Sequence, residues 1–186
     1  MKELSLNILD ITENSVKAGA SLTEIAITET DETLTLTIKD DGCGMKPDML
    51  ASVTDPFCTT RTTRSVGMGL PLLKLEAEQT GGTLTVSSRS CEDFPDCHGT
   101  EVTAVFVKSH IDFTPLGDVV SSVTTLIQGH PDTDFLFLHT LPDSRRVSLD
   151  TRELRQVLED VPLNNYDVIK WIDESLREQY SDGPTA

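Results

Sequence analysis

The chain has 186 residues, with 15 Lys and Arg against 31 Asp and Glu and a formal net charge of −16. A surface this acidic repels phosphate backbones and anionic headgroups, which sets nucleic acid and membrane aside as partners. Hydrophobic residues make up 37% of the chain, enough at this length for a cored domain with a smaller appendage, so disorder and fibrous repeats are excluded too.

From Lys2 to Ala18, Leu4, Ile8, Ile11, Ser15 and Ala18 alternate spacings of four and three, which predicts one buried stripe of a helix. Asp10, Asn14 and Lys17 form a polar stripe on the same helix, roughly 100° around the axis, and Gly19 ends it. Strands are predicted over Leu22–Thr30 and Thr33–Lys39, joined as an antiparallel hairpin through Asp31-Glu32. A glycine loop with Gly42, Gly44 and Pro47 follows, then a short helix near Asp48–Val53 and a polar run, Thr59–Ser65. Leu70, Leu73 and Ala77 predict a helix within Gly67–Thr80, stopped by Gly81-Gly82. Thr83–Ser88 and Thr100–Val107 read as a second strand pair around an acidic loop. This order predicts an α+β, two-layer sandwich with helices on one face of a mixed sheet.

Residues 109–180 are expected to form a small α/β extension to a domain over residues 1–108. Pro115 to Asp118 leads into a helix ending near Gln128, followed by strands at Phe135–His139 and Arg146–Leu149. Helices from Thr151, capped by Asp150 or Thr151, and from Asn165, capped by Asn164 or Asn165, complete it. Residues 181–186 are expected to be a disordered tail.

The acid is evenly spread, residues 1–108 and 109–186 each carrying −8. Pro56–Leu75 departs from this: it has no carboxylate but holds Arg61, Arg64 and Lys74, either an anion site or a chance gap. Apolar runs fall short of the ~18 residues a membrane span needs, and a signal segment is not evident, which points to the cytosol. Cys43, Cys58, Cys91 and Cys97 have irregular spacing and read as reduced thiols. Cys91, Cys97 and His98 make only a weak metal-ligand pattern.

Several local patterns suit a nucleotide. The stripe Asp10, Asn14, Lys17 offers a carboxylate, an amide carbonyl and an ammonium for a water, a magnesium ion and phosphates, although a solvated helix face has the same composition. Asp40-Asp41-Gly42-Cys43-Gly44-Met45 places a carboxylate at a strand end, where it can accept from an exocyclic amine, and glycines that permit close approach. An ordinary Asp-Gly turn would look alike. Asp55 to Arg61 precedes Ser65-Val66-Gly67-Met68-Gly69-Leu70, whose glycines at a helix start leave N–H groups and the positive dipole end for an anion. Gly99-Thr100 opens the last strand, where a hydroxyl can bind a base or a bridging water.

Together these motifs resemble the GHKL superfamily of ATP-binding domains, which includes gyrase B, the ninety-kilodalton chaperones, sensor histidine kinases and MutL. Asn14 falls at the N box, Asp40 to Gly44 at the DxGxG box, Phe57 at the F box, Gly67 to Leu70 at the GxGL box and Gly99-Thr100 at the final Gly-Thr. The resemblance implies a Bergerat-type fold binding ATP and Mg2+. Asn14 would ligate the magnesium, Asp40 would hold the adenine amine, Gly42 and Gly44 would shape the loop, and Met45 would line the base. Gly67, Gly69 and the Leu70 amide would cradle the phosphates, with Lys17, Thr60 and Arg61 beside them and Thr100 near the base. Asp10 lies where hydrolysing members carry a glutamate base, one methylene longer. Glu13 is expected to be solvated. The four histidines, His98, His110, His130 and His139, follow the boxes and are expected to be structural or exposed rather than phosphoacceptors.

Ile111 to Asp118 and Leu149 to Glu153 resemble stand-alone members encoded beside iron-only hydrogenase subunits, which suggests a redox-enzyme subunit as partner. The implied function is a cytosolic, Mg-dependent ATP-binding protein that regulates a separate protein by phosphoryl transfer in trans or by hydrolysis. A nucleotide-sensing module without turnover is the competing reading, and a metal scaffold on Cys91, Cys97 and His98 a third.

Overall fold

The computed structural model describes residues 3–54 and 69–181. Helix α1 (Leu4–Lys17) buries Leu4, Ile8, Ile11 and Ser15, the stripe set by the sequence spacing, and Gly19 leaves it at φ +75, the left-handed conformation that glycine adopts without penalty. Strands β1 (Leu22–Glu29) and β2 (Thr33–Asp40) pair antiparallel through a turn held by Thr30, whose hydroxyl accepts from Thr33 N–H at 2.9 Å. A short helix α2 (Pro47–Ser52) and α3 (Gly69–Gln79) precede β3 (Thr83–Arg89) and β4 (Gly99–Val107). Then come α4 (Val119–Gly129), β5 (Asp134–Thr140), β6 (Arg146–Asp150), α5 (Thr151–Leu158) and α6 (Tyr166–Ser181).

The six strands form one sheet in the order β3-β4-β2-β1-β5-β6, antiparallel except where β5 runs parallel to β1. Strand alternation sends Ile25 and Ile27, Leu34, Leu36 and Ile38, Val102, Ala104 and Phe106, Phe135 and Phe137 to one buried face. Apolar residues of α1, α3, α4 and α6 join the same core. The opposite face carries threonines, and Thr37 and Thr103 meet hydroxyl to hydroxyl at 3.2 Å across β2 and β4. The α+β sandwich predicted from the element order is the fold observed.

The extension expected over residues 109–180 is continuous with this sandwich. Its two strands enlarge the first sheet beyond β1, and α4 carries the chain across to them, since a parallel neighbour cannot be reached by a hairpin. The loop before α4 also satisfies the start of α1: Leu4 N–H donates to Pro115 O at 2.9 Å and Ser5 N–H to Leu116 O at 2.8 Å. These are donors that a helix start leaves open. Asp118 caps α4 by accepting from Ser121 N–H at 3.0 Å, and Asp150 caps α5 by accepting from Arg152 N–H at 3.0 Å. Ser181, expected in the tail, is the last residue of α6, and residues 182–186 lie outside the described residues.

A buried polar chain ties α6 to the sheet. His139 on β5 is 1% exposed; its Nδ1 faces the Tyr180 hydroxyl at 2.7 Å and its Nε2 faces Glu29 Oε1 at 3.1 Å. Lys108 pairs with the other oxygen of Glu29 at 2.7 Å. With Nε2 donating to the carboxylate and Tyr180 donating to Nδ1, a neutral ring satisfies every group. Burial pushes the His139 pKa down against the upward pull of Glu29, and burial pushes the Tyr180 hydroxyl up.

A folded pKa below the unfolded value means that the unfolded chain takes up the proton first, so this contribution is complete above about pH 6.5 and is lost as pH falls through the lower folded value. Urea titrations from pH 7.5 to 5 should therefore show stability falling on acidification, with a shallower slope in His139→Gln. Tyr180→Phe should cost about 1–2 kcal/mol at pH 7.5 in the same measurement, since it strips the donor from a buried acceptor. A chain ended at residue 110 loses the groups that cap α1 and cover its α4 side, and should show no cooperative thermal transition by circular dichroism.

Candidate functional site

The site is organised around Asp40, the last residue of β2. Its Oδ1 accepts from Gly42 N–H at 3.0 Å and Thr100 N–H at 3.2 Å, and its Oδ2 accepts from the Ser15 hydroxyl at 2.7 Å. Donors from a loop, from β4 and from α1 thus converge on one carboxylate. The two backbone N–H groups can only donate, so the side chain at position 40 must present an acceptor to them.

Backbone proximity explains the glycines. A methyl at Gly42 would lie 2.9 Å from Ala18 Cβ and 3.1 Å from Asp40 Oδ1. Gly44, at φ +64, packs its α-carbon against the Arg89 carbonyl, and Gly99, at φ +132, packs against that of Asp40. Asp41 turns the other way and accepts from Ser21 N–H at 2.7 Å and Leu22 N–H at 2.9 Å. Burial raises the Asp41 carboxyl, but these N–H groups and the Ser21 hydroxyl outweigh it and hold the pKa below the ordinary value.

Beside the carboxylate, Met45 N–H donates to Ser88 Oγ at 2.8 Å, and Ser88 Oγ lies 3.0 Å from Gly99 O and 2.9 Å from Thr100 Oγ1. When Ser88 donates to the carbonyl, Thr100 donates to Ser88, and the Thr100 oxygen keeps its lone pairs. His98 Nδ1 meets Gly42 O at 2.6 Å, which makes Nδ1 the protonated nitrogen.

The polar stripe lies on the same helix as Ser15, which holds Asp40. Asn14 is half-buried, Asp10 and Lys17 are exposed, and the Asp10 and Asn14 side chains make no hydrogen bond among the described residues. Asp10 lies against the start of α3: a methyl at Gly69 would come within 2.5 Å of its Oδ2. That end of the helix carries the positive pole of its dipole, so a carboxylate is favourable there. Lys17 lies 3.9 Å from Glu13. Glu13 itself, expected to be solvated, meets His130 Nε2 at 2.6 Å and so joins α1 to the end of α4. The helix has a third polar edge there, which its own periodicity does not reveal.

The structure therefore gathers Asp40, Gly42, Gly44, Met45 and Thr100 at the ends of β2 and β4, with α1 alongside through Ser15 and with Asp10 against Gly69; Asn14 precedes Ser15 on α1, and Leu70 follows Gly69 on α3. Thr60, Arg61 and Gly67, with Phe57, lie outside the described residues. Ser15 and Ser88 are additions. A hydroxyl in an otherwise apolar stripe, directly after Asn14, is a signal for Ser15, whereas Ser88 becomes visible only once β3 is set in register with β4. Cys97 Sγ accepts from Arg89 at 3.2 Å and His98 is committed to Gly42. Among the described residues no group of three or more His, Cys, Asp and Glu could hold a metal ion.

Two substitutions probe the three donors. Asp40→Asn keeps an oxygen for both N–H groups and can donate to Ser15, so it should cost no more than about 1.5 kcal/mol. Asp40→Ala strands both N–H groups and should cost about 2–4 kcal/mol, with urea denaturation giving the order.

Comparison with known proteins identifies the family and the fold. The family model for histidine kinase-, DNA gyrase B-, and HSP90-like ATPases matches residues 2–110. A "Probable C4-dicarboxylate sensor kinase" of Bacillus subtilis (strain 168) is 32% identical over 83 residues, covering 45% of this chain and 14% of that protein. "Hybrid signal transduction histidine kinase A" of Dictyostelium discoideum is 34% identical over 103 residues, 47% of this chain and 5% of that protein. The matches thus span a small part of these much longer relatives. Among solved structures, the Aquifex aeolicus MutL ATPase domain complexed with ADP superposes with a TM-score of 0.55 at 12% identity, covering 100% of both chains. The N-terminal domain of a DNA repair protein gives 0.53 at 17% identity, over 81% of this chain and 53% of that one. At these identities the superpositions speak for the fold alone, and the matched family model gives the assignment: the chain belongs to the histidine kinase-, DNA gyrase B- and HSP90-like ATPase family.

Proposed function

We propose that this protein binds ATP with Mg2+ and uses it to act on a separate protein, by phosphoryl transfer in trans or through hydrolysis. The observation that carries the reading is the Asp40 carboxylate, held by Gly42, Thr100 and Ser15 so that the remaining lone pair, on Oδ2, accepts from a ligand. An exocyclic amine such as that of adenine is the matching donor, and Met45 and Thr100 lie next to it for the base.

Phosphates belong beside the middle of α1, where Asp10 lies against Gly69 at the start of α3. Gly69 and the Leu70 amide stand in the first turn of α3, with Gly67, Thr60, Arg61 and Lys17 assigned to the same anion. The Asn14 side chain, half-buried and without a hydrogen bond among the described residues, offers an oxygen of the kind a hard cation takes. Bound there, magnesium would neutralise phosphate charge. Asp10 is the candidate for orienting the attacking water or hydroxyl. The sensor-kinase relatives support the kinase class, and the resemblance of the extension suggests a redox-enzyme subunit as partner. No helix among the described residues is long and apolar enough to cross a membrane, and the cytosol remains our proposed location.

A second reading, a nucleotide sensor without turnover, draws on the same Asp10. Its carboxylate lies against Gly69, a place where it can anchor α3 to α1 instead of serving as a base. Single-turnover assays with labelled ATP separate the two. Turnover in the wild type and a loss of about 100-fold or more in Asp10→Asn supports the catalytic role, whereas ATP binding with no turnover under any condition supports the sensor. Isothermal titration with ATP should show binding lost in Asp40→Asn at near-native stability, and full affinity in that variant would sink the assignment.

A further inference from the structure

The glycine loop that carries Asp40 also carries an exposed thiol. Cys43 is pinned on both sides: its N–H donates to Ala18 O at 2.9 Å, and its carbonyl accepts from Cys91 N–H at 2.8 Å. With Gly44 packed on the Arg89 carbonyl and Met45 N–H bonded to Ser88, residues 43–45 run alongside residues 88–91 in the opposite direction. One N–H···O=C bond between two residues, with ordinary covalent lengths, sets their Cα atoms on the order of 5–6 Å apart, within the ~4.4–6.8 Å that a disulfide spans.

Both cysteines line one cleft of 480 Å³ with Lys46, Met49 and Ser90, Cys43 exposed and Cys91 half-buried. Cys97 does not line it; its sulfur is engaged by Arg89.

We propose that Cys43 and Cys91 are a reversible thiol pair that ties the glycine loop to the β3–β4 connection, with a low-molecular-weight disulfide as oxidant. The exposed Cys43 thiolate attacks one sulfur of that disulfide, forming a mixed disulfide and releasing one small thiolate. The Cys91 thiolate then displaces the second. The two cysteine protons end on the two released thiols, so both cysteines are oxidised and one small disulfide is reduced to two thiols.

The loop has little slack to absorb the new bond. Gly42 abuts Ala18 and Gly44 abuts Arg89, so a pull on Cys43 is passed to the Gly42 N–H that holds Asp40. Oxidation is therefore expected to weaken nucleotide binding, a consequence that rests on the function proposed above.

The test uses the full chain with Cys58→Ser and Cys97→Ser, exposed to glutathione disulfide. Intact mass should fall by two hydrogens, and a non-reducing peptide map should join the Cys43 and Cys91 peptides. ATP affinity should fall at least about fivefold and return with dithiothreitol. Adding Cys91→Ser should leave a glutathione adduct on Cys43 and no link. Stable separate adducts on both cysteines would overturn the pair, and a complete link with unchanged ATP affinity would overturn its coupling to the site. A link in a protein that binds no ATP even when reduced would leave the thiol pair standing and reject the nucleotide reading instead.

Discussion

The structure turns on the carboxylate of Asp40. It ends β2 and takes donors from three places: Gly42, two residues on in the loop, and, distant in sequence, Thr100 at the start of β4 and Ser15 on α1. Stranding the two N–H groups would leave part-buried donors unsatisfied. The same contacts fix how α1 sits over the sheet, and so where Asp10 and Asn14 stand relative to the start of α3. One group thereby serves the closure of the sandwich and, in the function proposed, the chemistry of its rim.

Residues 109–181 belong to this closure as well. The loop at Pro115 and Leu116 satisfies the first N–H groups of α1, and Glu13 meets His130 at the end of α4. The helix that bears the polar stripe is thus held by the glycine loop at one end and by the C-terminal half at the other. His139, between Glu29 and Tyr180, fastens α6 to the same sheet through a neutral buried ring. A change at α6 has a continuous hydrogen-bonded route to the end of β1.

Much of this was legible in the sequence. Leu4, Ile8 and Ile11 at alternating spacings set the helix, and Leu34, Leu36 and Ile38 against threonines set the strand, because side-chain period follows backbone geometry. The glycines of the Asp40 loop marked close approach, and each is packed where a side chain would not fit. Long-range order was not legible. Nothing local in Phe135–His139 says that β5 lies parallel to β1 in the same sheet, so residues 109–180 read as an appendage. Ser15 passed as part of an apolar stripe, and Ser88 and Glu13 acquire partners only when separate elements meet. Thr60 and Arg61 rest on motif alone.

In the proposed function Asp40 acts as an acceptor that selects an exocyclic amine. Isothermal titration of the wild-type chain with ATP and with inosine triphosphate, which replaces that amine by a carbonyl, tests it directly. ATP should bind at least about tenfold more tightly, since a carbonyl facing a carboxylate forfeits a charge-assisted hydrogen bond and adds repulsion. Equal affinities would contradict the claim.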